Sequence, residues 1–162
     1  MMGAGKSAAG ARLAQRLGRE FVDLDAELER SAGRGIAEIF DAEGEEGFRA
    51  RERAAIESVA GKPAVVALGG GAIAQPGMSE RLAASGTVVY LRARPETLLE
   101  RVGDAAGRPL LEGLDREQRR LRIRALLARR EPAYRSARIV VDTDGRSVDE
   151  VADSLARELA VE

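Results

Sequence analysis

The sequence predicts a three-layer α/β fold in which a parallel β-sheet lies between helices. Three observations predict it. Short apolar runs at 21–25, 64–68, 87–91 and 138–141 alternate with longer helix-like stretches, as parallel strands require because crossovers must join them. The run Ala64-Val65-Val66-Ala67-Leu68 is continuously apolar, as in a strand buried on both faces. Gly3-Ala4-Gly5-Lys6-Ser7 precedes a strong helix former, as in a phosphate-binding loop that opens a helix.

Composition narrows the chemistry. The 162 residues are enough for one domain over 1–162, and at 44% hydrophobic and 33% charged they suit a folded, soluble chain. A net charge of -1 provides no bulk field for nucleic acid or membrane. No run reaches the length of a membrane span and no signal peptide is visible, so a cytoplasmic setting is expected. The chain has no Cys and no His. That excludes disulfides, thiol nucleophiles, imidazole bases and Cys/His zinc sites. What remains is carboxylates, Arg, Lys, hydroxyls, backbone groups and a hard cation held by oxygen. Phosphoryl transfer fits that set, because it rests on positioning and charge stabilisation.

The full phosphate-loop pattern is G-x-x-x-x-G-K-[ST]. Gly5-Lys6-Ser7 is its back half, and its first glycine would fall one residue before Met1. In such a loop Lys6 reaches the β- and γ-phosphates and the Ser7 hydroxyl binds Mg²⁺. The same residues also read as an ordinary Gly-rich turn before a helix. That helix is predicted over Ala8 to Leu17, with Gly18 as its stop.

Phe21-Val22-Asp23-Leu24-Asp25 is a strand end carrying two carboxylates. If the strand continues, alternation puts Asp23 and Asp25 on one side, facing the ligand crevice at the carboxyl end of the sheet. Asp25 also reads as the cap of a helix beginning near Ala26, with Asp23 solvated. A mostly helical insertion then spans about 26–60. It is broken at Gly33 and Gly35, resumes at Ile36–Phe40, loops at Gly44–Gly47 and runs on from Phe48 to about Val59. Arg49 and Glu52 share one face of it at i, i+3, either as a working pair or as a solvated one of little value.

Gly69-Gly70-Gly71 follows the second strand directly. Three glycines there let a ligand approach the backbone, whereas a flexible turn needs only two. A short helix is predicted over Met78–Ala84, and Pro95 opens another that runs to Arg101 or Val102. Residues 103–111 are Gly-bearing, charged and aperiodic, and read as a mobile loop carrying Arg108. Arg116 to Arg130 is a basic helix with Leu121, Leu126 and Leu127 on its apolar side, ended by Pro132. Most of its arginines form a solvated face, with one or two free to reach an anion. Ser147 caps a C-terminal amphipathic helix that runs to about Leu159.

Six motifs, G-A-G-K-S, F-V-D-L-D, F-R-A-R-E, L-G-G-G-A, G-R-P-L-L and R-E-P-A-Y, occur in this order across nearly the whole chain. Together they resemble shikimate kinase. The resemblance implies a P-loop, nucleoside-monophosphate-kinase type fold with a five-stranded parallel sheet, a shikimate-binding helical insertion at about 26–60 and a lid at about 103–115. It implies that Gly3, Ala4, Gly5, Lys6, Ser7 and Ala8 hold the ATP phosphates. Lys6 lies on the β/γ groups, Ser7 binds Mg²⁺, and Asp23 orients the ion through water. Asp25 binds the shikimate hydroxyls and orients or deprotonates the attacking one. Arg49 and Arg130 clamp the carboxylate, a task suited to a planar fork of donors. Glu52 holds Arg49, and Gly69, Gly70 and Gly71 approach the ring through backbone N–H groups. Arg108 swings in with the lid to stabilise the transferring phosphoryl group, and Arg101 and Arg146 flank the adenine. The implied reaction is ATP and shikimate to ADP and 3-phosphoshikimate, in aromatic amino-acid synthesis, by a monomer with small-molecule partners only.

The family's first strand and leading glycine have no counterpart here, because the chain begins inside the motif. That strand is central in the family, so these 162 residues alone are expected to be unstable and weakly active. Two rival readings stand beside this one. A gluconate- or nucleoside-monophosphate-type kinase shares Gly5-Lys6-Ser7 and an Arg-bearing lid, but does not readily account for Asp25, Arg49 and the three glycines together. A binding module without turnover is the second, and intact Lys6, Asp25 and Arg108 argue against it.

Overall fold

The computed structural model describes residues 1–104 and 108–160. Three residues of the expected lid, Ala105, Ala106 and Gly107, lie outside them. In chain order the elements are α1 (Lys6–Leu17), β1 (Glu20–Asp23), α2 (Leu24–Ala32), α3 (Ile36–Val59), β2 (Ala64–Ala67) and α4 (Met78–Ser85). They continue with β3 (Val89–Arg92), α5 (Pro95–Val102), α6 (Arg116–Tyr134), β4 (Ile139–Asp142) and α7 (Val148–Ala160).

The strands are all parallel. β1 pairs with β2, Glu20 opposite Ala64 and Asp23 opposite Ala67. β3 pairs with β4, Val89 opposite Ile139 and Arg92 opposite Asp142. No ladder joins the two pairs among the described residues; Met1, Leu68 and Val89 line a small cavity between them. The expectation that the 64–68 run is buried on both faces is corrected here. Val65 and Val66 are only partly buried, because β2 has a ladder on one side. α1 packs on β1, β2 and α7, and α7 also covers β4. Leu13, Leu24, Ile56, Leu98, Ile123 and Val151 belong to the main apolar core. A second, smaller cluster of Leu28, Ile39 and Phe48 forms where α2 meets α3.

Several local expectations change. β1 ends at Asp23 and α2 begins at Leu24, so the strand does not continue to Asp25. The cap is Asp23, whose Oδ1 accepts from the backbone N–H groups of Asp25 at 3.1 Å and Ala26 at 3.5 Å. The stretch 44–47 is not a loop. α3 runs through it with a kink at Gly44, where φ 67° and ψ -178° are open only to glycine. α6 does not stop at Pro132 but continues to Tyr134. Pro132 removes only one hydrogen bond so close to the helix end. Leu121 is 56% exposed, and the buried stripe of α6 is Ile123, Leu126, Arg130 and Tyr134. Ser147 does cap α7: its Oγ accepts from Glu150 N while Glu150 accepts from Ser147 N.

Candidate active site

α1 begins where a phosphate loop requires. Gly5 at its N-cap takes φ 85° and offers no side-chain cap, leaving the first N–H groups of the helix for an anion. One cleft of about 570 Å³ opens at this end of the sheet. Gly3, Gly5, Lys6, Ser7 and Ala8 line it on one side, and Asp25, Arg49, Glu52 and the three glycines after β2 on the other. Arg101, Arg108 and Arg130 close it. Residues as far apart in the chain as Gly3 and Arg130 therefore share one cavity.

Lys6 donates to the Met1 carbonyl at 3.1 Å. Burial lowers its pKa, opposed by the carboxylates of Asp25 and Asp23. Ser7 donates its hydroxyl hydrogen to Asp23 Oδ2. These two oxygen donors suit a small hard cation that keeps most of its waters and takes its other ligands from phosphate. No group of three or more metal-ligating acids exists among the described residues, so an all-protein cage is not what the site offers.

Asp25 sits deeper. Burial raises its carboxyl pKa above the ordinary 3.8, against the pull of Lys6. Such a shift brings a carboxylate nearer to use as a base. Arg49 is far from the solvated pair considered as an alternative. Its side chain is 14% exposed, that of Glu52 1%, and they bond at 2.7 Å. Arg49 also lies over the Phe48 ring at 5.2 Å. Arg130, alone among the arginines of the basic helix in being buried, is 3% exposed. Arg108 carries a buried guanidinium nitrogen, Nη1, with no hydrogen-bond partner among the described residues.

The three glycines each serve a different side chain. A Cβ on Gly69 would fall 2.5 Å from Glu52 Oε1 and 3.0 Å from Asp25 Oδ1. One on Gly70 would fall 3.4 Å from an Arg130 nitrogen, and one on Gly71 2.5 Å from an Arg49 nitrogen. The loop is bare so that the charged groups of the site can lie against it.

Arg101 lines the cleft and is held by Thr143 through its hydroxyl at 2.9 Å and its carbonyl at 2.6 Å. Arg146 is not in the cleft wall; it donates to the carbonyls of Asp142 and Glu150. Asp23 likewise stands behind Ser7 rather than in the wall. Sequence reasoning gave no role to Tyr134, whose hydroxyl donates to the Gly70 carbonyl and whose ring stacks on Tyr90 at 4.8 Å. The available signal was its i+4 spacing from Arg130 on the buried stripe. Nor did it single out Gln75, which donates to Glu52 at 2.8 Å.

The shikimate kinase family model matches residues 2–160. The chain belongs to the shikimate kinase family. The shikimate kinase of Halorhodospira halophila is 46% identical, with 98% of this chain and 89% of that protein covered. That of Chlorobium phaeobacteroides is 43% identical over 97% of this chain and 82% of its own length. Among solved structures, the Acinetobacter baumannii shikimate kinase in complex with shikimate superposes with a TM-score of 0.92 at 40% identity. It covers 99% of this chain and 89% of its own. The Bacteroides thetaiotaomicron enzyme gives 0.91 at 30%, covering 99% and 94%. The fold is that of the family, and the chain is a kinase of this group with ATP as its phosphoryl donor.

Proposed function

We propose that this protein transfers the γ-phosphoryl group of ATP to the 3-hydroxyl of shikimate, releasing ADP and 3-phosphoshikimate. The observation that carries the reading is the meeting, in one cleft, of a helix-opening phosphate loop with half-buried Asp25 and Arg49 and fully buried Arg130. A polyol needs a hydroxyl acceptor, and a carboxylate needs charge-assisted donors.

Gly3 to Ala8 receive the ATP phosphates, with Lys6 at the β/γ junction. Arg49 and Arg130 fork the shikimate carboxylate and so set which hydroxyl faces the donor. Asp25 accepts the proton of the attacking hydroxyl as its oxygen bonds to the γ-phosphorus and the bond to the β-γ bridging oxygen breaks. Arg108 meets the charge spread over the transferring group. Ser7 and, through water, Asp23 would hold Mg²⁺, which would supply positive charge against the phosphate oxygens. Arg101 and Arg146 lie beside the adenine. The 26–60 segment is the substrate-binding part and 103–115 the lid, within a single domain over 1–162. The enzyme works as a monomer in the cytoplasm on small molecules.

The test is ADP release with shikimate, gluconate and AMP as competing acceptors, at saturating MgATP. Turnover with shikimate alone is expected. Equal or better turnover of gluconate or AMP defeats the reading, and ATP binding without any turnover favours a binding module.

A further inference from the structure

Glu52 does not act on Arg49 unaided. Its Oε2 accepts from two donors, Arg49 Nη1 at 2.7 Å and Gln75 Nε2 at 2.8 Å. Its Oε1 is buried and has no hydrogen-bond partner among the described residues, and points to where Gly69 and Asp25 meet. Every anchor of this carboxylate is therefore on one oxygen. The charged groups that face it are Arg49 from α3, Asp25 from α2 and Arg130 from α6.

Gln75 is itself fixed. Its Oε1 accepts from Arg53 Nη1 at 2.9 Å. An amide has a donor end and an acceptor end. The Arg53 donor therefore decides that the NH₂ end faces Glu52, since a flipped amide would set two donors together and two acceptors together. The backbone of Gln75 is pinned as well, its N–H donating to Ala72 O at 3.2 Å and its carbonyl accepting from Met78 N at 3.1 Å. The residue stands on the same loop as Gly71, against which the Arg49 guanidinium lies.

We propose that Gln75 is a positioning residue for the substrate carboxylate: it holds Glu52, and through Glu52 fixes the direction in which Arg49 presents its guanidinium. The proposal rests on the reading of Arg49 as the carboxylate clamp. Without Gln75, Arg49 is the one hydrogen-bond donor left to Glu52 among the described residues, and Arg49 itself is held besides only by exposed Glu45 at 3.4 Å and by the Phe48 ring, so its guanidinium loses the fixed carboxylate that aims it. With Gln75 in place, a line of contacts runs Arg53–Gln75–Glu52–Arg49, leaving α3 at Arg53 and returning to it at Glu52, in the cleft wall.

The experiment compares Gln75→Ala, Gln75→Glu and Arg49→Lys in steady-state kinetics with shikimate and ATP varied separately, each variant also melted. Gln75→Ala is expected to raise the shikimate KM by roughly 5- to 10-fold, less than the full loss of a hydrogen bond to a charged group because it reaches the substrate only through Glu52 and Arg49, with the ATP KM unchanged. Gln75→Glu keeps size and the Arg53 contact but sets an acceptor against the Glu52 carboxylate. Its shikimate KM is expected to be worst at high pH and to recover as pH falls and the two carboxyl groups share a proton, a dependence that a merely structural role would not produce. A rise in the shikimate KM for Arg49→Lys with both Gln75 variants at wild-type KM overturns the proposal and leaves the clamp standing. An unchanged KM for Arg49→Lys overturns the clamp and the proposal with it. Equal rises in both KM values for the Gln75 variants, with lowered melting, show a structural role and also overturn it.

Discussion

The hydroxyl of Ser7, at the start of α1, donates to the carboxylate of Asp23, at the end of β1. Asp23 uses its other oxygen to cap α2. One side chain thus serves the phosphate end of the cleft and the helix that carries Asp25. The two duties separate by substitution. Asp23→Asn keeps a good N-cap, whereas Asp23→Ala loses it at about 1 kcal/mol. Both are expected to raise the Mg²⁺ concentration that gives half-maximal turnover. Only the alanine variant is expected to lower Tm, by roughly 2–4 °C. Magnesium titrations of ADP release beside thermal melts check this, and equal melting of the two variants would remove the cap from the account.

Arg49 and Arg108 are expected to fail in different ways. Arg49→Ala removes a charge-assisted contact to the carboxylate worth roughly 1.5–3 kcal/mol, so the shikimate KM should rise by about 10- to 150-fold. Arg108→Ala removes charge needed as the phosphoryl group moves, so kcat should fall on the order of 10³-fold with smaller changes in KM. A kcat left intact in Arg108→Ala would mean that its unpartnered nitrogen has another use.

Asp25 trades stability for activity. Burial raises its pKa in the folded chain, so the folded state binds this proton more tightly than the unfolded state does. Stability from this group therefore falls as pH rises from 3.8 through the raised value, and the full cost remains at neutral pH. Asp25→Asn is expected to melt higher than the parent at pH 7 while losing roughly 10²- to 10⁴-fold in kcat. In the parent, kcat/KM should drop on the acid side with a midpoint above 3.8. A lower Tm for Asp25→Asn would show that the carboxylate is better compensated than its burial implies.

The glycine loop predicts a rank order. A methyl at Gly69 would lie 2.5 Å from Glu52 Oε1 and one at Gly71 2.5 Å from an Arg49 nitrogen, whereas at Gly70 the nearest atom is 3.3 Å away. Gly69→Ala and Gly71→Ala are expected to cost about 1–3 kcal/mol through overpacking and to raise the shikimate KM. Gly70→Ala should be milder on both counts. Isothermal titration with shikimate, beside melts, measures the order; Gly70→Ala as the worst of the three would contradict it.

Much of this was legible in the sequence, for identifiable reasons. Each strand is an apolar run, and a run survives any arrangement of neighbours, so all four are found within about two residues. The phosphate loop is read from contiguous residues. What was missed lies where one residue type hides another's role. Arg130 counts as polar, so the buried stripe Ile123–Leu126–Arg130–Tyr134 was invisible and Leu121 was put inside instead. Asp25 reads as a cap if the helix starts near Ala26, and only the earlier start of α2, at Leu24, assigns the cap to Asp23. Gln75 and Glu52 are 23 residues apart, and Arg101 and Thr143 42. No local period encodes such partners.

The small Leu28–Ile39–Phe48 cluster has a mechanical consequence. It gives the α2–α3 arm an interior of its own, reinforced by the Phe40–Phe48 stack at 4.4 Å, and it ends one residue before Arg49. An arm that keeps its own interior can hinge away without dissolving, as a sub-global opening of lower free energy than complete unfolding. Amides of 28–48 would then exchange with deuterium before those around Leu98 and Ile123. A carboxylate gripped at once by Arg49 on the arm and Arg130 on the body would act as a bolt between them, slowing that exchange without touching the amides it protects.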